Sequence, residues 1–276
     1  PKTGADVRIR GEEFKSGETL LEPGTVLRSG EIVLLSAAGV EKVLVHPKPR
    51  VAFLVTGDEL VELGEEPTDG KIINSNLYMI RTRLREEAYD IIELGTVGDQ
   101  PDLLADRLTE GFSADLMLTT GGVSIGDHDF IHGLCDRLEM NIHFWKLSIK
   151  PGKPVLFATR NKIPFFGLPG NPAAAAATYE ILVRPALHRL AGHPHPEPPR
   201  VPAQLSGPVV NKGKREHFIW GTVATGEAGL TFTPSPWQAS GQCRTMQGFN
   251  SLLPIPPGGQ LARGKTVHPM LVRMPG

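Results

Sequence analysis

Short apolar runs alternate with amphipathic segments between residues 51 and 190, and this alternation constrains the fold more than any other feature of the sequence. The run at 51–55 is entirely apolar and is followed by Thr56-Gly57, which is typical of a buried parallel strand. Strands are also predicted at 90–94, 115–119, 142–145, 154–158 and 164–167, and helices at 76–87, 101–112, 130–138 and 171–190. This order predicts an α/β fold, in which a parallel-type sheet is covered by helices on both faces.

A proline-rich stretch separates this α/β region from the end of the chain. Residues 192–199 contain four prolines, each of which lacks a backbone donor and restricts the residue before it, so a linker is predicted there. We place the α/β domain at 48–195. Residues 196–276 predict a C-terminal all-β domain, because short β-like runs alternate with Gly and Pro turns. These runs are 218–223, 230–233, 251–255 and 266–272.

The first 47 residues form a third region. They contain many Gly turns, a stretch with helical character at 31–38 and a strand candidate at 43–45, so a short N-terminal β-rich segment is predicted. The region has too few apolar residues to build a core of its own. We expect residues 1–47 to pack against a part that this sequence lacks or against a second subunit.

Composition excludes several classes of function. The 276 residues are 40% hydrophobic and 21% charged with a net charge of −1, which gives no electrostatic reason to expect a nucleic acid or an anionic membrane as partner. No apolar run approaches the length of a membrane span. The two cysteines, Cys135 and Cys243, lie in no metal-binding spacing and indicate a reducing, cytoplasmic environment.

Polar and glycine-rich segments follow four of the predicted strands. They are Thr56-Gly-Asp-Glu59, Val97-Gly-Asp-Gln100, Thr120-Gly-Gly-Val-Ser-Ile-Gly-Asp-His-Asp129 and Leu168-Pro-Gly-Asn-Pro172. Ligands bind beyond the carboxyl ends of the strands in open parallel sheets, so the four segments are expected to meet at one site. Their acidic residues could bind a hard cation that bridges to a phosphoanhydride. These acids are Glu59, Asp99, Asp127 and Asp129.

Each segment also has an ordinary structural explanation. A Gly-Gly pair after a strand is most often a turn, and Asn171-Pro172 is a common way to start a helix. Asp58-Glu59 and Lys150-Pro-Gly-Lys153 could be solvated surface turns. Their joint occurrence at one edge of the sheet favours a functional interpretation, in which Gly121 and Gly122 let a ligand approach the backbone.

Four motifs in the correct order resemble the molybdopterin molybdenumtransferase family. Residues 120–129 resemble its molybdopterin-binding signature, Gly-Gly-Val-Ser-x-Gly-x-x-Asp. The other matches are Thr56-Gly-Asp-Glu59, Lys150-Pro-Gly-Lys-Pro154 and Gly167-Leu-Pro-Gly-Asn-Pro172, while Arg8-Ile-Arg-Gly-Glu12 resembles a segment of the family's elongated domain. The resemblance implies the molybdopterin-binding fold, with residues 1–47 as a remnant of the elongated domain.

The resemblance also implies a reaction and the residues that perform it. Family members insert molybdate into adenylated molybdopterin and release AMP, with a divalent cation such as Mg²⁺, at a cleft between the subunits of a homodimer. Glu59, Asp99 and either Asp127 or Asp129 would lie at the metal and the anhydride. The remaining implied roles are phosphate or molybdate contacts for Lys150 and Lys153, pterin contacts for Thr120, Gly121, Gly122, Ser124 and Asp129, and a wall near molybdate from Pro169 and Pro172. Arg215 and Ser240 match the family's C-terminal segments less closely.

One departure leaves alternatives open. The family's sequences carry a further N-terminal α/β domain that nothing in residues 1–47 matches, so we expect a fragment or an atypical member. A gephyrin-like scaffold that binds the pterin without catalysis is one alternative. A metal-dependent nucleotide pyrophosphatase is the other, although the all-β region and the Pro-Gly-Asn-Pro loop argue against it.

Overall fold

The computed structural model describes residues 4–123, 130–226 and 229–274. Up to residue 190 the elements are α1 (Ser29–Ala37), β1 (Arg50–Thr56), β2 (Leu60–Val61), β3 (Ile72–Ile73), α2 (Ser75–Glu86), β4 (Asp90–Val97), α3 (Pro101–Gly111), β5 (Leu116–Thr120), α4 (Phe130–Arg137), β6 (Asn141–Trp145), β7 (Ile149–Lys150), β8 (Leu156–Arg160), β9 (Ile163–Leu168), α5 (Pro172–Thr178) and α6 (Arg184–Leu190). A π-helical turn, Tyr179–Val183, joins α5 to α6. The predicted alternation of strands and helices is confirmed.

Six of these strands form the first sheet, in the order β4-β1-β5-β9-β8-β6. β4, β1, β5 and β9 run parallel, as predicted, whereas β8 pairs antiparallel with both of its neighbours. Asn161 and Lys162 connect β8 to β9 with φ angles of 49° and 70°. Two consecutive positive φ angles are typical of a tight hairpin turn, so the chain reverses at this point and the sheet is mixed.

Helices cover both faces of this sheet and build a separate apolar cluster on each. α3 and α4 cover one face, where Leu104 and Leu134 are buried. α2 and α6 cover the other face, where Ile80 and Leu187 are completely buried. Strands enclosed from both sides must be apolar at every position, which explains the uninterrupted run in β1.

A buried ion pair fixes α2 beside the π-helical turn. Arg83 Nε donates to Glu180 Oε1 at 2.7 Å, and the side chains are 7% and 4% exposed. Two buried charges are stable together because each supplies the other's hydrogen bonds. The pair therefore sets the position of α2 relative to the helix that begins at Pro172, and the first turns of both helices line the cleft described below.

The second sheet lies in the C-terminal part of the chain. Its elements and the neighbouring short strands are β10 (Ala203–Leu205), β11 (Val209–Val210), β12 (Glu216–Gly226), β13 (Gly229–Pro234), β14 (Ser251–Ile255), β15 (Gln260–Leu261), β16 (Thr266–Val267) and β17 (Met270–Leu271). The strand order is β16-β10-β13-β12-β14-β17, and β7 also pairs with β12. This confirms the prediction of β structure here.

Residues 4–49 differ from the predicted β-rich segment. Between these positions α1 is the one regular element, and residues 43–45 form no strand. Val43, Leu44 and Val45 are 43%, 104% and 64% exposed, so the apolar run has no neighbouring strand and no core to enter. A strand needs both, and the prediction is wrong for this reason. Among the described residues, no helix combines the length and apolar character needed to span a bilayer.

Candidate functional site

A cleft of about 890 Å³ lies beyond the carboxyl ends of β1, β4, β5 and β9. The loops that follow these four strands all contribute to it, as the strand order predicts for an open parallel sheet. The start of α2 and a loop from the second sheet complete its walls. Its lining includes Thr56, Gly57, Asp58, Glu59, Asn74, Ser75, Asn76, Asp99, Gly121, Gly122, Pro169, Gly170, Asn171, Pro172, Gly241 and Cys243.

Carboxylates form one wall of the cleft. Thr56 Oγ1 donates to Asp99 Oδ1 at 2.8 Å, and the Asp99 backbone N–H donates to Asp58 Oδ1 at 2.9 Å. The Glu59 carboxylate lies so close to Gly57 that a Cβ built there would be 2.6 Å from Oε2. The structure thus brings together the predicted residues Glu59 and Asp99. It also adds Asp58, which was not among the predicted site residues.

Gly121 and Gly122 form the floor of the cleft. A Cβ on Gly121 would lie 2.1 Å from the Thr56 carbonyl oxygen, and one on Gly122 would lie 2.9 Å from side-chain carbons of Thr56 and Ile131. Their φ angles, 91° and 64°, also disfavour other residues. Contacts with Thr56 of β1 and with Ile131 of α4 therefore explain both glycines without a ligand, and the expectation that ligand approach requires them stays a prediction.

The loop after β9 is held from two sides. Asn76 Nδ2 donates to the Gly170 carbonyl oxygen at 2.8 Å, and the Ala173 backbone N–H donates to the Ser240 carbonyl oxygen at 3.0 Å. The predicted residues Pro169 and Pro172 line the cleft. Ser240 therefore contributes through its backbone, which brings the neighbouring Gly241 and Cys243 to the rim.

The sequence did not identify the start of α2 as part of the site. Asn74 caps this helix, since its Oδ1 accepts a hydrogen bond from the Leu77 backbone N–H at 3.1 Å. Ser75 and Asn76 follow in the first turn and line the cleft. An Asn-Ser-Asn sequence after a short strand indicates a helix start. The position of this helix start at the cleft, however, depends on the hydrogen bond from Asn76 to Gly170, 94 positions further along the chain.

Lys150 and Lys153 are both exposed, and neither lines the part of the cleft that the structure describes. Lys150 of β7 lies opposite His217 of β12 in the backbone register of the two strands. Arg215 Nη1 donates to the Ile149 carbonyl oxygen at 3.0 Å. Burial, together with the positive charges of Lys150 and Arg215, lowers the pKa of His217 to about 4. Lys150 and Arg215 thus form a cationic cluster next to the second sheet.

The remaining predicted residues divide into two groups. Thr120 ends β5 and is completely buried, and its hydroxyl has no hydrogen-bond partner within the described residues. Ser124, Asp127 and Asp129 lie outside the described residues. Within 4–123, 130–226 and 229–274, no three His, Cys, Asp or Glu side chains are close enough together to hold a metal ion.

Comparison with known families identifies the part of the chain that forms this cleft. The family model described as a probable molybdopterin binding domain matches residues 52–189. The chain belongs to this family. The matched region contains all four strand-end loops of the cleft.

Similar proteins confirm the resemblance to molybdopterin molybdenumtransferases. The molybdopterin molybdenumtransferase of Nostoc sp. is 35% identical over 228 residues, which are 81% of this chain and 52% of that protein. That of Staphylococcus aureus is 30% identical over 268 residues, 96% of this chain and 64% of that protein. The chain therefore spans about half of the length of the first relative and less than two thirds of the second.

Solved structures show the same architecture. Two structures of the molybdopterin biosynthesis MoeA protein from Pyrococcus horikoshii match with TM-scores of 0.81 and 0.77, both at 26% identity. The matches cover 96% and 95% of this chain, and 64% and 63% of the two solved chains. The fold of these two solved chains thus extends over nearly all of this chain.

Proposed function

We propose that this chain binds adenylated molybdopterin in the cleft and takes part in the insertion of molybdate, with release of AMP. The observation that carries this proposal is the meeting of four strand-end loops around a carboxylate wall in the region that matches the molybdopterin-binding family. The relatives named molybdopterin molybdenumtransferase support the reaction.

Two walls of different polarity give the cleft its chemistry. Asp58, Glu59 and Asp99 form the acidic wall, while the N-terminal end of α2 faces the same space. Backbone N–H groups at a helix start attract phosphate, whereas carboxylates repel it unless a cation lies between them. A phosphoanhydride would therefore lie with its charge toward α2 and its metal-binding oxygens toward the acids.

Glu59 and Asp99 would hold the divalent cation. Carboxylate oxygens are the ligands that Mg²⁺ prefers, and Asp99 Oδ1 is oriented by its hydrogen bond from Thr56. When bound, Mg²⁺ would offset the negative charge that develops on the anhydride. Phosphate oxygens, water and either Asp127 or Asp129 would complete the ligand set.

Two further parts of the proposal concern assembly and location. We propose a homodimer, because residues 4–49 expose Ile9, Val33, Leu44 and other apolar side chains that a second subunit could cover. We also propose a cytoplasmic location, which agrees with the absence of a disulfide bond at either of the two cysteines, Cys135 and Cys243.

The proposal is tested by measuring AMP release from adenylated molybdopterin with Mg²⁺, in the presence and absence of molybdate. We expect release that depends on molybdate. Glu59→Gln and Asp99→Asn should each lower the rate by about 10–100-fold or more, since a lost metal ligand costs at least as much as a lost supporting contact. Their melting temperatures should remain close to wild type, because both side chains lie at the cleft surface.

Asp106→Asn is the matched control. It also neutralises one carboxylate, but on an exposed position of α3 outside the cleft, so the rate should not change. Cleavage that is independent of molybdate would instead indicate a pyrophosphatase. Binding of the pterin nucleotide without any release would indicate a non-catalytic relative. Wild-type rates in both cleft variants would refute the assignment of the metal ligands.

A further inference from the structure

Asp58 connects two of the loops that line the cleft. Its Oδ1 accepts a hydrogen bond from the Asp99 backbone N–H at 2.9 Å, so the loop after β1 contacts the loop after β4. Both residues line the cleft, and Asp58 is exposed there. Glu59 and Asp99 are the proposed ligands of the cation. Asp58, the third carboxylate of the acidic wall, therefore needs an explanation of its own.

The loop after β1 holds Asp99 at two points. Thr56 Oγ1 donates to Asp99 Oδ1 at 2.8 Å, and Thr56 is buried. Asp58 Oδ1 accepts from the backbone of the same residue. The first contact orients one carboxylate oxygen, whereas the second fixes the main chain from which the carboxylate extends. Because the ligands of a metal ion must be held to within about 0.5 Å, both contacts contribute to the position of Asp99.

The turn that carries Asp58 is itself anchored. Lys71 Nζ donates to the Asp58 carbonyl oxygen, and the Ile72 backbone N–H donates to the Glu59 carbonyl oxygen at 2.8 Å. β2 and β3 pair directly after these contacts. The main chain of the turn is therefore fixed, and the Asp58 carboxylate connects this fixed turn to Asp99.

Gly98 leaves the space that the Asp58 carboxylate occupies. A Cβ on Gly98 would lie 2.7 Å from Asp58 Oδ1, whereas the next nearest atoms are 3.9 Å away. The φ angle of Gly98 is not in the left-handed region, so its backbone accepts other residues. A side chain at this position would therefore collide with the Asp58 oxygen and with little else.

We propose that Asp58 is a positioning residue, whose Oδ1 fixes the Asp99 backbone so that the Asp99 carboxylate can bind the proposed cation together with Glu59. This role requires an acceptor oxygen, which the amide of an asparagine also supplies. A ligand of the cation would instead require the charge of the carboxylate. The inference rests on the proposed function, since the cation is the one proposed for the cleft.

The test measures Mn²⁺ binding to the full chain by electron paramagnetic resonance of the free ion. Mn²⁺ accepts the same carboxylate and water ligands as Mg²⁺. Asp58→Ala should weaken Mn²⁺ binding by about 10-fold or more, since loss of a contact that orients a metal ligand costs about 10–100-fold in affinity. Asp58→Asn should stay within about 3-fold of wild type, because its amide oxygen accepts the same hydrogen bond without the added strength of a charge.

Gly98→Ala removes the same contact from the opposite side. The added Cβ should displace the Asp58 carboxylate and weaken Mn²⁺ binding by a similar factor. The double variant Asp58→Ala/Gly98→Ala should bind Mn²⁺ as Asp58→Ala does, since the oxygen that the Cβ would displace is already absent. If Asp58→Ala does not fold, Gly98→Ala and Asp58→Asn still decide the question.

Asp115→Ala is the matched control for Asp58→Ala. Asp115 Oδ2 accepts from the Arg50 backbone N–H at 2.8 Å, which is the same kind of contact at the start of β1, outside the cleft. This variant should lower the melting temperature and leave Mn²⁺ binding unchanged. Gly207→Ala is the control for Gly98→Ala, since a Cβ on Gly207 meets nothing within 4 Å.

Hydrogen–deuterium exchange of the Asp99 backbone amide tests the contact independently of the metal. Exchange should be faster in Asp58→Ala and Gly98→Ala than in wild type, and close to wild type in Asp58→Asn, because the amide loses its acceptor only in the first two variants. Equal exchange rates in all four proteins would overturn the positioning role and leave the proposed function standing.

The Mn²⁺ measurements separate the remaining outcomes. If Asp58→Asn binds Mn²⁺ as weakly as Asp58→Ala, the charge itself is needed, and Asp58 is a ligand of the cation rather than a positioning residue. Wild-type affinity in both Asp58→Ala and Gly98→Ala would contradict this inference alone. A wild-type chain that binds no Mn²⁺ would overturn the proposed cation site and this inference together.

Discussion

Residues 51–55 and residues 43–45 are both short apolar runs, yet they lie in opposite surroundings. The first run forms the centre of β1 and is buried by helices on both faces of the sheet, whereas the second is exposed and forms no strand. The two runs differ less in their residues than in their neighbours. The comparison teaches that an apolar run becomes a strand only where other strands can pair with it.

Replacement of a glycine should give the largest difference in stability between the packed α/β region and residues 4–49. Gly121 and Gly17 have similar φ angles, 91° and 85°, but a Cβ would lie 2.1 Å from the Thr56 carbonyl oxygen at the first and meets nothing within 4 Å at the second. Gly121→Ala should destabilise the protein by more than about 4 kcal/mol. Gly17→Ala should cost only about 1–2 kcal/mol, since it places a Cβ at a positive φ without a clash.

Urea unfolding followed by the fluorescence of Trp145, Trp220 and Trp237 measures both effects. Equal losses of unfolding free energy in the two variants would contradict this expectation, because they would show that the φ angle rather than packing determines the cost. If Gly121→Ala folds normally and loses only nucleotide binding, the glycine serves the ligand, as the sequence alone suggested.

Truncation of a leucine should give the next largest difference in stability between the two regions. Leu118 is completely buried in β5, so Leu118→Ala should cost about 3 kcal/mol through lost burial and a residual cavity. Leu44 is 104% exposed, and Leu44→Ala should change stability by less than about 0.5 kcal/mol. A substantial loss at Leu44, measured by the same urea titration and rising with protein concentration, would show that a second subunit covers this position.

The third comparison concerns a histidine of the packed region, whose effect on stability appears only at acid pH and does not exceed that of Leu118→Ala. Burial, with Lys150 and Arg215 nearby, lowers the pKa of His217 to about 4. Protonation is therefore less favourable in the folded chain than in the unfolded chain, whose histidine titrates near its ordinary pKa. The free energy of unfolding should therefore not depend on this histidine above about pH 6.5. It should fall by up to about 3 kcal/mol as the pH drops to about 4.

His217→Asn should remove this part of the acid sensitivity. Its matched control is His46→Asn, which alters an exposed histidine in residues 4–49 and should leave the pH profile unchanged. Melting temperatures at half-unit pH steps measure both profiles. An unchanged slope between pH 6.5 and pH 4 in His217→Asn would show that another group causes the loss.

The sequence predicted those features that depend on local pattern and on strand order. Alternating runs placed the helices and strands of the α/β region, and the carboxyl ends of parallel strands correctly brought Glu59 and Asp99 to one edge. The reversal at β8 depends on two positive φ angles at Asn161 and Lys162, and Lys162 stands at a position where such a turn usually has Gly. Local patterns carry no information of this kind.

Other features depend on contacts between distant residues. Asn76 is held in position by its hydrogen bond to Gly170, and Glu180 of the π-helical turn accepts a hydrogen bond from Arg83 of α2. Lys150 and Lys153 were expected at the cleft because they belong to a family motif, whereas the structure places Lys150 beside His217 of β12. A motif identifies residues that act together in the family, but it does not give the direction in which each side chain points.

The pairing of β7 with β12 determines which piece of this chain could be exchanged between relatives. β13 pairs with residues 221–226 of β12, and β7 pairs with residues 216–217 of it, where the Glu216 backbone N–H donates to Ser148 O at 3.0 Å. A chimaera joined at the proline-rich stretch would supply β12 with a foreign β7. If the foreign β7 does not pair with β12, the exposed strand edge could pair with strands of other chains and so promote aggregation. Recombination that transfers residues 148–150 together with the C-terminal sheet would keep this edge covered.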